Sequence, residues 1–196
     1  MQCKESLVPA CGGACRFSVS PIVNTKAYHD AFEEMPVSRS AAQAAYEQAG
    51  RILRATNGTE FEHMAAVNAR TGKLVADNLG RAPMRARTGF NKEELAKVEA
   101  CGNGVLIIHN HPASKPPSYR DVITAASYSS IAASVVVGHD GSLWYVSVAD
   151  ENIATSLVDY YNDLKDNKGD LAEALALHAM LKDNERHRLF EWRRLR

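Results

Sequence analysis

Two histidines one residue apart, His109 and His111, stand upstream of an aspartate in the segment His109-Asn110-His111-Pro112-Ala113-Ser114-Lys115-Pro116-Pro117-Ser118-Tyr119-Arg120-Asp121. In extended backbone, residues i and i+2 project to one face and lie ~6–7 Å apart. Two imidazoles so spaced converge on one cation at Zn–N distances of ~2.0–2.1 Å, whereas on a helix they diverge. Asp121 offers a carboxylate oxygen as third ligand. Three protein ligands leave one tetrahedral position for solvent, the mark of a catalytic rather than a structural zinc site. Water there has its pKa lowered toward ~7 and becomes a usable nucleophile. Ser118 precedes Asp121 by three residues at the start of a helix, and its hydroxyl suits donation to a developing oxyanion. Each half has a plainer reading: His-x-His also occurs among solvated or core histidines, and Ser-x-x-Asp is also a helix capping box. Both halves together, directly after a buried strand, favour the metal site, and Ser118 can cap and act at once.

The elements that must position these residues are legible from periodicity. Val105–Ile108 is an unbroken apolar run, which suits a central strand buried on both faces; His109 and His111 follow it, and Pro112 stops it. Tyr119–Ser130 reads as a helix. Upstream, Thr25–Glu34 and Ala41–Ala55 read as helices, the second capped within Ser38–Arg39–Ser40 and ended by Asn57–Gly58. Glu60–Asn68 and Lys73–Leu79 form a hairpin turning at Thr71–Gly72. Asn91–Ala100 is amphipathic with Asn91 as N-cap, and Gly102–Asn103–Gly104 breaks it. Ala133–Val137 and Leu143–Val148 flank His139–Asp140–Gly141–Ser142, where Asp-Gly suits a tight hairpin turn; His139 reads as a solvent-exposed turn residue. Helices follow at Ile153–Lys165 and Asp170–Arg196, separated by a break at Asn167–Lys168–Gly169. Residues 1–37 read as a tail or irregular segment, 38–150 as the catalytic α/β unit and 151–196 as a helical extension.

The bulk properties narrow the function classes. Among 196 residues, 45% are hydrophobic and 23% charged, ordinary for a globular chain, and the formal net charge is zero. The molecule as a whole therefore has no electrostatic pull toward nucleic acid or anionic membrane. No apolar run approaches the ~20 residues of a membrane-spanning helix, and the N-terminus lacks a secretory apolar stretch, so a cytoplasmic location is expected. Cys3, Cys11 and Cys15 crowd the N-terminus at spacings of no common zinc pattern, and Cys101 stands alone; free thiols are the favoured reading, with a second metal site or a local disulfide left open. The arginine-rich end from Arg186 to Arg196 carries Leu189, Phe190 and Trp192. It reads as a helix with a packed apolar stripe in preference to a nucleic-acid-binding one.

His109-Asn110-His111-Pro112 followed by Ser118-Tyr119-Arg120-Asp121 resembles the JAMM (MPN/JAB) metalloprotease motif, closest to its RadC-like and phage-associated bacterial branch. Six residues separate His111 from Ser118, where the commonest family spacing is seven. The resemblance spans about Ser40 to Val148. It implies an MPN fold, a mixed β-sheet flanked by helices and like that of cytidine deaminases, with Zn2+ held by His109, His111 and Asp121. It also implies an upstream glutamate as general base; Glu62 is preferred, heading an apolar strand, with Glu60 as the alternative. The implied substrates are peptides, isopeptide-linked conjugates or ubiquitin-like proteins. The competing expectations are a RadC-like role in DNA processing and a non-catalytic binding module, and the C-terminal helix offers a surface for pairing with a second copy.

Overall fold

The structure, a computed structural model, describes residues 17–85, 87–102, 104–148, 152–168 and 171–196. Its centre is a six-stranded mixed sheet in the order β3-β2-β5-β6-β7-β8. The strands are β2 (Met64–Asn68), β3 (Leu74–Asp77), β5 (Val105–His111), β6 (Ile131–Gly138), β7 (Leu143–Val148) and β8 (Phe190–Arg194). Only β5 and β6 pair in parallel; the other pairs are antiparallel. A separate two-stranded ribbon joins β1 (Phe61–Glu62) to β4 (Met84–Arg85).

Alternation along β5 divides the interior into two layers. Leu106 and Ile108 face α1 (Lys26–Glu33) and α2 (Arg39–Thr56), packing with Phe32, Ala45, Ile52 and Leu53. Val105 and Ile107 face the opposite side with Met64, Val98 and Ala125, under α3 (Lys92–Glu99) and α4 (Tyr119–Ser127). The helices α5 (Asn152–Lys168) and α6 (Ala172–His187) extend that second layer, with Leu157, Ala176 and Met180 against Val122 and Phe190. Each fully buried Ile or Leu contributes ~1.5–3 kcal/mol of transfer free energy. Both faces of β5 are covered, which is why its sequence reads as a continuous apolar run.

Local signals account for the helix starts. Ser38 caps α2 by accepting the Ala41 N–H at 3.1 Å, Asn91 forms a capping box with Glu94, and Ser118 forms one with Asp121. A parallel β5–β6 pair requires a crossover, and α4 provides it, so its N-terminus lies beyond the carboxyl end of β5. Ligand sites in open α/β sheets gather at such strand ends.

The structure departs from the sequence expectations in four places. Glu60–Asn68 is not one continuous strand: pairing of β2 with β5 ends at Met64 opposite His109, and Phe61–Glu62 leaves to pair with β4. The β5 ladder runs through His111, in keeping with a strand that Pro112 stops. Helix α4 ends at Ser127, not Ser130. The C-terminal helix does not reach Arg196. Arg188 turns left-handed at φ 50°, the Asn184 carboxamide bonds both the N–H and C=O of Phe190 at 2.9 and 2.8 Å, and Phe190–Arg194 becomes β8. Phe-x-Trp is a two-residue period and packs one face of a strand, a pattern hidden beneath the arginines. Helix α5 runs on through Lys168, so Asn167 and Lys168 of the expected Asn167–Lys168–Gly169 break are helical; Gly169, the three N-terminal cysteines and Asn103 lie outside the described residues. Among the described residues, no helix is long and apolar enough to cross a membrane.

Candidate metal centre

Strand parity aims His109 and His111 at the α4 side of the sheet, where the crossover delivers Asp121. The three residues form one group able to hold a metal ion, with one ligand atom from each lying within 4.8 Å of the others. The two Nε2 atoms are 3.2 Å apart. Asp121 Oδ1 is 3.0 Å from His109 Nε2, and Oδ2 is 3.4 Å from His111 Nε2. A tetrahedral ion with bonds of ~2.0–2.1 Å has ligand–ligand edges of ~3.3 Å, close to each of these pairwise separations, although the two histidines meet different oxygens of Asp121. The donor set of two imidazoles and one carboxylate is also the set such an ion takes in catalytic sites.

The surroundings orient the donors. His111 Nδ1 is 2.9 Å from the Lys115 carbonyl, to which it donates, and this leaves Nε2 as the nitrogen that faces Asp121. His109 is buried, and its Nδ1 has no hydrogen-bond partner among the described residues. Asp121 divides its carboxylate between two tasks: Oδ2 accepts the Ser118 N–H at 2.5 Å as the helix cap, while Oδ1 meets His109. Burial pushes the Asp121 carboxyl upward, but the charges and hydrogen bonds of His109 and His111 outweigh it and hold the group well below the usual carboxylate range. Burial alone would lower His111; its bonds to Asp121 and Lys115 and the charge of Glu62 raise it instead. The Ser118 hydroxyl accepts the Asp121 N–H at 3.4 Å, so its own proton is left for another acceptor.

The two glutamates that share parity in the sequence are separated by the fold. Glu60 is bound to Arg85 at 3.1 Å and is substantially exposed. Glu62 is desolvated, which pushes its carboxyl upward against the opposing charges of His111 and His109. A cleft of ≈ 950 Å³ contains Glu62, His109, His111, Ser118 and Asp121 along its wall and continues past Phe90 and Tyr128.

The other histidines lie apart from this group. His63 is buried and its Nδ1 lies 3.2 Å from Asn78 Oδ1. His139, expected in solvent, is 2% exposed. The chain from Phe17 to Val23 lies over the β6–β7 turn: Ser20 N–H donates to the His139 carbonyl at 2.7 Å, and His139 Nδ1 donates to the Phe17 carbonyl at 2.6 Å. Turn composition alone gives no sign of that cover. Sequence reasoning also passed over Asn110 and Thr56, both buried beside His139. Cys101 accepts a hydrogen bond from Asn68 Nδ2 at 3.1 Å. No protein-family model, curated protein or solved structure matches the chain.

Proposed function

We propose that the chain is a zinc-dependent metallohydrolase of the JAMM type, built on an MPN fold, that cleaves an amide or isopeptide bond in a peptide or ubiquitin-like protein substrate. The observation that carries this reading is the convergence of His109, His111 and Asp121, one ligand atom from each within 4.8 Å of the others, at the wall of a cleft. The mixed sheet flanked by helices supports it at the level of architecture.

His109, His111 and Asp121 would hold the ion, which when bound would supply Lewis acidity toward water and the scissile carbonyl. The Glu62 carboxylate takes the proton of the attacking water and returns it to the leaving nitrogen. Desolvation makes that carboxylate a stronger base than an exposed one. The Ser118 hydroxyl donates to the oxyanion of the tetrahedral intermediate. His111 keeps its Nε2 aimed inward through its Nδ1 bond to the Lys115 carbonyl.

Zinc analysis paired with turnover of peptide and isopeptide-linked substrates tests the reading. Wild-type protein carries about one zinc per chain. Glu62→Gln retains that zinc and loses ~10²–10⁴-fold in kcat, whereas His109→Ala loses both zinc and turnover. Protein that takes up no zinc from a stoichiometric supply, or a Glu62→Gln variant with full activity, contradicts the proposal.

A further inference from the structure

Asn110 stands between the two histidines on β5, and parity turns its side chain to the other face of the sheet. There it is completely buried. Its Oδ1 accepts the N–H of His63 at 2.9 Å, and its Nδ2 donates to the C=O of Phe61 at 3.0 Å. Those two peptide groups flank Glu62. In an uninterrupted antiparallel ladder, backbone groups of the facing strand would take up such peptide groups. Here the β2–β5 ladder has already ended at Met64 and His109, and the Asn110 carboxamide continues it in the backbone's place.

The orientation of that carboxamide is determined by its partners. A peptide N–H only donates and a peptide C=O only accepts, so Oδ1 and Nδ2 cannot exchange places. The second proton of Nδ2 faces His139 Nε2 at 3.1 Å and Thr56 Oγ1 at 3.3 Å. Because His139 gives its Nδ1 proton to the Phe17 carbonyl, Nε2 is the accepting nitrogen. Three elements thus hold one amide: α2 through Thr56, the β6–β7 turn through His139, and the Phe61–His63 segment itself.

We propose that Asn110 is a positioning residue for Glu62: its carboxamide clamps the peptide groups on either side of Glu62 to the strand that carries His109 and His111. One residue triplet then holds the metal ligands on one face and the base-bearing segment on the other, so β5 is the common frame for both. The inference rests on the reading of Glu62 as the proton acceptor. The clamp acts only through that residue, since Asn110 faces away from the cleft.

Asn110→Asp is the test variant, because it keeps the shape and replaces the donating Nδ2 by an oxygen facing the Phe61 carbonyl and His139 Nε2. On an isopeptide-linked peptide turned over by the wild type, kcat should fall ~10²-fold, the cost of misplacing a catalytic group by about 1 Å. KM should stay within about threefold, and zinc should remain at about one per chain. With Glu62 already replaced by Gln, adding Asn110→Asp should change the residual rate by less than about twofold, a coupling that general loosening of the fold would not give. Unchanged kcat in Asn110→Asp overturns the clamp and leaves the hydrolase reading standing; loss of zinc in step with kcat overturns it too, by assigning Asn110 to the ligands. Full turnover by Glu62→Gln removes the reading beneath it and is seen separately. A measurement on the wild type alone decides the matter if the variant does not fold. The His63 amide should be protected from hydrogen exchange like that of Ala65 in β2, and exchange at the rate of an exposed loop amide overturns the clamp.

Discussion

Asp121 shows how one side chain serves a helix and a site together. One oxygen accepts the Ser118 N–H and completes a capping box; the other meets His109. The two tasks are separable by chemistry, since capping needs an acceptor and metal binding needs charge. Asp121→Asn keeps an amide oxygen for the cap, so the metal-free protein should change in stability by less than ~1 kcal/mol. Its zinc affinity should fall by more than the ~10–100-fold that losing an outer-shell partner costs. Asp121→Ala should lose affinity and also ~0.5–2 kcal/mol of stability. Competitive zinc titration and thermal unfolding of the metal-free protein read the two effects apart, and an equal stability loss in both variants would refute the division. At this scale the grouping of His109, His111 and Asp121 was legible, because residue type and spacing both carry meaning for a metal. Asn110 was not: between two histidines any residue satisfies the pattern, and only the pairing of Phe61 and His63 with its amide gives it a task.

Between residue and molecule, turns decide where the strands begin. The β2–β3 hairpin folds back at Gly72, which has φ +72°, and a Cβ there would lie 2.3 Å from the backbone oxygen of Ser40 at the start of α2. Gly58 also has a positive φ, of +76°, but a Cβ there would meet nothing within 4 Å. Gly58→Ala should therefore cost only the left-handed strain of ~1–2 kcal/mol. Gly72→Ala adds a backbone collision and should cost ~3–5 kcal/mol. Urea unfolding of the two variants measures the difference; equal losses would mean that α2 yields freely to the turn. The hairpin, its Thr71–Gly72 turn and the caps Ser38, Asn91 and Ser118 were all readable, because each is a short-range event with its own residue chemistry. The split at His63 and the strand at Phe190–Arg194 were not. Both depend on partners remote in sequence, Asn110 and Asn78 for the first and β7 for the second.

Over the whole molecule, distant segments meet around two points, the buried His139 and the outer strand β8. Burial lowers His139 below its ordinary value of 6.5, and a second proton on Nε2 would oppose the N–H that Asn110 presents. The folded state then binds fewer protons than the unfolded one. The His139 contribution is accordingly complete above pH ~6.5 and is lost as pH falls through the depressed folded value. His111 and His29 are raised and work in the opposite sense, so the informative quantity is the wild-type slope minus that of His139→Gln. Wild-type stability should decline more steeply than the variant's on going from about pH 7.5 to about 5.5, and identical slopes in chemical unfolding would contradict the assignment.

The second point closes the sheet. β8 pairs with β7 along five residues from Trp144–Arg194 to Val148–Phe190, Phe190 is buried with Met180 and Val146, and Arg193 donates to the Glu34 carbonyl at the end of α1. Removing residues 189–196 would strip the outer strand from β7, bare its ladder groups and uncover the apolar face of α6. Loss of the Phe190 contact alone costs ~1.5–3 kcal/mol, and an unpaired edge invites association with another chain. The truncated protein should unfold at lower urea and elute as larger species in size-exclusion chromatography. Its zinc content should persist wherever the chain remains folded, because β6 and β7 stand between β5 and the lost strand. A truncated protein that stayed monomeric with wild-type stability would show that β8 decorates the sheet instead of completing it.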